Sequence, residues 1–97
     1  MPNLPKSLAA VAATTDWYDV PQGVDEVMVA VNGTWNGATA AVQFKDAAGT
    51  AVAYGDDATF TDDGAIICAA WRARQIRVAI TVATPALAIT FTWKGKR

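Results

Sequence analysis

Three stretches of this sequence hold side chains that could do chemistry. The first is Trp71-Arg72-Ala73-Arg74-Gln75-Ile76-Arg77, an aromatic ring with three guanidinium groups. Such a mixture can stack on bases and grip phosphates. It can equally be a turn whose arginines pair with carboxylates, or a protein contact, since Trp and Arg dominate interface hot spots. The turn or the protein contact is favoured. The second stretch is acidic: Asp56, Asp57, Asp62 and Asp63. Their oxygens could ligate a cation such as calcium, but the spacing is not that of an EF-hand. Asp beside Gly is also ordinary turn chemistry, because the carboxylate bonds nearby backbone N–H groups. A carboxylate pair for glycoside hydrolysis could be drawn from the same four, yet a chain this short rarely encloses the cleft. The third is Cys68, in the apolar run Ala65-Ile66-Ile67-Cys68-Ala69-Ala70. A buried thiol there behaves as a small hydrophobe.

What is missing narrows the chemistry further. The chain has no histidine and one cysteine. A Cys–His pair, an internal disulfide and a zinc site of Cys and His are all excluded. Neither GxGxxG nor GxxxxGK[ST] occurs, so no nucleotide cradle is signalled. No cofactor, metal or catalytic residue is expected, and the chain is read as a binding protein rather than an enzyme.

Four tryptophans remain to be placed: Trp17, Trp35, Trp71 and Trp93. Trp93 continues the alternating face of Leu87, Ile89 and Phe91 and is expected in the core. Trp35 lies in Asn32-Gly33-Thr34-Trp35-Asn36-Gly37. It either folds back as a lid or plugs a partner's pocket. A sugar platform is a third, weaker reading.

The elements that position these residues show period-two alternation. Val27, Val29 and Val31 form one such set. Ala38, Ala40, Val42 and Phe44 form a second, Ile76, Val78, Ile80 and Val82 a third, and Leu87, Ile89, Phe91 and Trp93 a fourth. Each predicts a half-buried strand rich in β-branched or aromatic residues. Between them lie turn signals: two Asn-Gly pairs, Asp46-Ala47-Ala48-Gly49, Gly55-Asp56-Asp57, Asp62-Asp63-Gly64 and Thr84-Pro85. The expected fold is all-β, an antiparallel β-sandwich or jelly roll with an extended N-terminal arm. Residues 1–23 are read as the arm or an edge segment and 24–97 as the β-sandwich domain. Ser7 could instead cap a short helix through the alanines, since alanine favours helix. The arm or edge strand is preferred.

Bulk numbers agree with one small domain. Ninety-seven residues at 53% hydrophobic and 18% charged are too apolar for disorder. A chain of this length buries only roughly 60–65% of its unfolded surface. Net charge is −1, which gives no global field for nucleic acid. Charge is uneven: residues 1–70 carry two lysines against nine acids, a net −7, and residues 71–97 carry +6. The halves either neutralise each other within the fold or face a complementary partner. The strand faces expected to meet water show Ala, Thr and Gln where a solvated sheet carries Lys and Glu. Small uncharged faces of this kind suit close approach by another surface. No segment reaches the ~20 apolar residues that span a bilayer. The apolar run after Lys6 is too short, and Pro2 and Pro5 too close, for a secretory signal to be favoured. Absence of disulfides fits synthesis in a reducing cytoplasm.

The passage Val29-Ala30-Val31-Asn32-Gly33-Thr34-Trp35-Asn36-Gly37-Ala38-Thr39-Ala40-Ala41-Val42-Gln43-Phe44 resembles the G-T-W-x-G-A-T-x-x-x-Q stretch of small virion structural proteins of tailed bacteriophages. Asp57-Ala58-Thr59-Phe60-Thr61-Asp62-Asp63-Gly64 and Gln75-Ile76-Arg77-Val78 are similar to later segments of the same pattern, so the resemblance spans about residues 24–93. The polar hairpin after the Gln strand is longer in that family and is shortened here to Asp46-Ala47-Ala48-Gly49. The resemblance implies a capsid decoration (cement) protein that binds the major capsid protein on the outside of the head. It also implies a homo-oligomer, with a trimer favoured, located on the virion and made in the bacterial host cytoplasm. Alternatives are a tail or fibre-associated β module and a small carbohydrate-binding β-sandwich. The side chains assigned to contacts are Leu4 and Leu8 of the arm, then Trp17, Trp35, Trp71, Arg72, Arg74 and Arg77. No nucleic acid and no membrane partner is expected. Removing residues 1–15 is expected to weaken capsid binding and leave the fold intact.

Overall fold

The computed structural model describes residues 3–21, 23–45, 51–53, 58–69 and 75–95. Nine strands follow in order: β1 Ser7–Val11, β2 Tyr18–Asp19, β3 Val24–Thr34, β4 Thr39–Lys45, β5 Ala51–Ala53, β6 Thr59–Phe60, β7 Gly64–Ala69, β8 Gln75–Thr81 and β9 Ala86–Gly95. The described residues hold no α-helix, and the fold is all-β as the alternation requires.

The strands form two antiparallel sheets. The first has the order β1-β9-β3-β7. The second has the order β2-β8-β4-β5, with β6 also against β4. The pairing is nested: β1 with β9, β2 with β8, β3 with β7, and β4 with β5 and β6. The contacts of β3 with β9 and β4 with β8 then join these ribbons into sheets.

Alternation sends one side of each strand into a single core. Val27, Val29, Val31, Leu87, Ile89, Phe91 and Cys68 enter it from the first sheet, and Ala40, Val42, Ile76 and Val78 from the second. Burying apolar area at about 25 cal/mol per Å² is what holds two such sheets against chain entropy. Trp93 packs half-buried against this core, at the end of the face the sequence assigned to it.

Three local expectations change. Of the two Asn-Gly pairs, only the second makes a turn. Asn36 and Gly37 have φ of 51° and 84°, and the Ala38 amide donates to the Trp35 carbonyl at 2.8 Å. Two successive positive φ angles are the type I′ geometry that Asn-Gly favours. This turn carries the chain from the first sheet to the second. Asn32-Gly33 lies inside β3, where a Cβ on Gly33 would stand 2.5 Å from the Ala86 carbonyl oxygen. Glycine is there for the close approach of β9, not for a turn. Val82, expected on the inner face of its strand, lies beyond the end of β8 with φ 79° and is 85% exposed. The chain must leave the second sheet there to enter β9 in the first, and that reversal breaks the alternation.

The N-terminal segment is extended and pairs as an edge strand, not a helix. β1 lies on β9, with a register break between Leu8 and Val11 where Ala10 has φ 53°. Ahead of it the chain crosses between the sheets. The Phe91 amide donates to the Lys6 carbonyl at 2.8 Å, and the Leu4 amide donates to the Asp19 carbonyl at 3.1 Å. Leu4 is buried in the shared core. After β1, Thr14 and Thr15 run along β8. Their hydroxyls accept from the Ile80 and Val78 amides, each at 3.0 Å. Side-chain oxygens thus complete a ladder that β2 covers for only two residues.

Candidate protein-contact surfaces

The outer face of the first sheet is poor in charge among the described residues. Register places its side chains in rows across the strands. Met28 stands between Ile67 and Thr92, and Ala30 stands between Ala65 and Thr90, with Ser7 beyond Thr90. Ile67 is 60% exposed. Glu26 and Lys94 are register partners at its border, and Lys6 lies beside Thr90. Small residues and threonine hydroxyls make this face flat and cheap to desolvate, the property of an interface centre. A shallow open depression adjoins it, lined by Lys6, Thr90, Phe91, Thr92 and Trp93. Among the described residues lining it, Lys6 is the titratable side chain.

The outer face of the second sheet is different. Trp17 carries two cations, with Lys45 Nζ 4.6 Å and Arg77 Cζ 4.4 Å from the ring centroid. Both lie within the distance at which the ring quadrupole attracts a cation. Arg77 Nε also donates to Gln43 Oε1 at 2.8 Å. One position along, Gln75 Nε2 donates to Asp19 Oδ1 at 3.1 Å. The cluster is preorganised because Lys45 and Gln43 alternate on the outer side of β4 and register sets Gln43 opposite Arg77. Among the described residues no lysine or arginine reaches ion-pair distance of a carboxylate. Within those residues Lys45 is met by the Trp17 ring, and Arg77 by the same ring and the Gln43 amide.

A third cluster closes the end of the molecule where the sheets meet. Trp35 is half-buried against the core, and its Nε1 donates to Asp63 Oδ1 at 2.9 Å. The Gly33 amide donates to the same oxygen at 3.2 Å, and Asp62 Oδ1 accepts from the Asp63 amide at 2.8 Å. Of the two main readings of Trp35, lid or plug, the ring sits as the lid. Asp63 serves loop hydrogen bonds. The described residues hold no group of three or more His, Cys, Asp or Glu placed for a metal. Beside this lid, Asn36 Nδ2 donates to the Thr84 carbonyl at 3.1 Å, tying the turn after β3 to the loop carrying Val82.

The residues assigned to contacts from the sequence are thus dispersed. Leu4 is buried in the core, and Leu8 packs half-buried against it. Trp17 and Arg77 come together, and Trp35 is at the far end of the fold. Trp71, Arg72 and Arg74 lie outside the described residues, as do Asp56 and Asp57. Sequence reasoning missed Lys45 and Gln43 as companions of Trp17. Their alternation on β4 was visible, but only register brings them to Arg77. Ile67 and Met28 were also missed, because the pattern alone does not say which side of a nearly all-apolar strand is covered.

Two titrations follow from burial. Cys68 is buried, and desolvation pushes its thiol up to about 11. The Tyr18 hydroxyl is raised by burial and, less, by the charge of Asp16. Tyr18 packs edge-on to Phe91, with centroids 6.4 Å apart. No family model, curated protein or solved structure matches the chain.

Proposed function

We propose that the chain is a bacteriophage capsid decoration protein, which binds the major capsid protein on the outside of the head and braces neighbouring coat subunits. It acts by contact, not catalysis, as a homo-oligomer with three chains favoured. It is made in the bacterial cytoplasm and ends on the virion. The observation that carries this reading is the flat, uncharged outer face of the first sheet. A solvated sheet has no need of that composition, and a rigid cement needs a surface that fits closely and desolvates cheaply. The motif around Gly33-Thr34-Trp35 supplies the identity of the partner. The nested strand order supports the finer name for the fold, a jelly roll, in which a long antiparallel ribbon rolls into two sheets. A sugar-binding reading would use Trp35, whose ring packs half-buried against the core with Nε1 donating to Asp63, and is not favoured.

The test is binding to phage heads that lack the protein. Thr90 is exposed on this face, between Ala30 and Ser7 in the register. Thr90→Lys places an unpaired charge there and is expected to reduce binding at least tenfold without changing the fold. Bound copies numbering in the hundreds per head fit cement. A handful of copies at one site fits a tail component and removes the decoration reading.

A further inference from the structure

The cluster around Trp17 concentrates positive charge on one face of the second sheet. Register sets Gln43 opposite Arg77 and Lys45 opposite Gln75, so the two cations are diagonal neighbours. Like charges held that close repel. Both side chains nonetheless converge on one indole ring, at 4.6 and 4.4 Å from its centroid. Among the described residues the contacts that hold them are neutral: the ring for both, and the Gln43 amide oxygen for Arg77. A neutral partner fixes a cation in place without cancelling its charge. Long side chains give up rotamer freedom to be held so. Here that ordering is complete before a ligand arrives, which favours binding.

The groups left to a ligand point to one chemistry. The Arg77 bond to Gln43 runs through Nε. It leaves the two terminal amino groups of the guanidinium, the planar fork that takes a carboxylate end-on. Lys45 brings a second charge to the same ring. Trp17, Lys45 and Arg77 are half-buried, so an ion pair made here is screened less than one in open water. A phosphodiester backbone fits less well. Asp16 and Asp19 stand on either side of Trp17 in the chain, and Gln75 Nε2 holds Asp19 beside the cluster at 3.1 Å. Closely spaced phosphates would meet these acids, whereas one carboxylate need not.

We propose that Lys45 and Arg77 form a carboxylate-binding site that takes an acidic side chain of a partner protein, with Trp17 as the positioning residue for both cations. This inference does not rest on the capsid reading, and its test needs no phage head.

The probe is a capped alanine pentapeptide with one central glutamate, titrated to tens of millimolar at constant ionic strength. Two-dimensional NMR follows the Arg77 Nε–H and Trp17 Nε1–H resonances, and both are expected to shift and saturate. The same peptide with glutamine should bind at least tenfold more weakly, because it cannot accept a charge-assisted pair. Arg77→Gln and Lys45→Gln should each weaken glutamate binding, read at Trp17, with the backbone amide spectrum of the fold intact. Trp17→Leu changes no charge and should weaken it too, and Trp17→Tyr, which keeps a ring face, should restore it. Equal binding of the two peptides, or no shift at all, would overturn the proposal. So would a response that Arg77→Gln and Lys45→Gln leave unchanged, or tighter binding of inorganic phosphate than of the glutamate peptide. Native affinity in Trp17→Leu would overturn the role given to the ring.

Discussion

Val82 is a β-branched residue at φ 79°, a region that costs an L-residue roughly 1–2 kcal/mol, and it is almost wholly exposed. Nothing in its packing offsets that strain. Val82→Gly is therefore expected to stabilise the fold by about 1 kcal/mol, less than the full strain because glycine loses more freedom on folding. Thermal unfolding should shift upward by ~4–8 °C for a domain of this size. An unchanged or lower midpoint would mean that the loop is not held in this conformation. Gly33 sits in the opposite position. An added Cβ meets the Ala86 carbonyl at 2.5 Å, so Gly33→Ala should destabilise. Cys68 gives a prediction in pH. Its thiol is raised from 9.0 to about 11 by burial, so the neutral form is the one the fold favours. Its contribution is complete below pH 9 and is lost as pH rises toward 11. Denaturation midpoints of the native protein and of Cys68→Ala should run parallel below pH 9 and converge above it. Parallel curves throughout would place the thiol in water. The thiol's burial was legible because it stands in an unbroken apolar run. The strain at Val82 was not, since alternation alone extends β8 through it.

At the scale of elements, the first twenty residues decide how the sheets are closed. Their alanines suggest helix, and the hydrogen bonds left open along β9 and β8 override that preference. The arm also puts Leu4 into the core, which alters an expectation from the sequence. Removing residues 1–15 takes with it a core side chain, the β1 edge and the hydroxyls of Thr14 and Thr15. The truncated chain should therefore lose stability, not only capsid binding. Leu4→Ala alone is expected to cost about 2–5 kcal/mol. Urea unfolding measures it, and a cost below ~0.5 kcal/mol would mean the segment is detachable after all. The strands themselves were legible at their centres, where two residues in every four are apolar. Their ends were not. Asn32-Gly33 carries a turn signature and forms strand, because β9 approaches too closely there for any side chain.

At the scale of the whole molecule, the pattern predicted an all-β fold of antiparallel strands, and the structure has two antiparallel sheets, but the strand order was not legible. Which strands meet depends on contacts far apart in the chain, and periodicity carries no information about them. The same gap explains the dispersed contact residues. Trp17, Gln43, Lys45 and Arg77 form one cluster only after β2, β8 and β4 are aligned. The low charge of the solvent-side positions, by contrast, was readable from composition. The topology concentrates it on the outer face of the first sheet and leaves the cations around Trp17 on the second. On the proposed function, the first face makes a close, dry contact and the second a polar one. Charge on the first face should weaken head binding, while neutral exchange there, such as Thr90→Ser, should not.

The most direct measurement of that claim is the number of copies bound per head, with native protein and Thr90→Lys compared on heads that lack it. The expected result is native binding that saturates at a high copy number spread over the shell, and loss of at least nine-tenths of it in the variant at the same concentration. Equal binding by the two proteins, or no binding by either, would contradict the account.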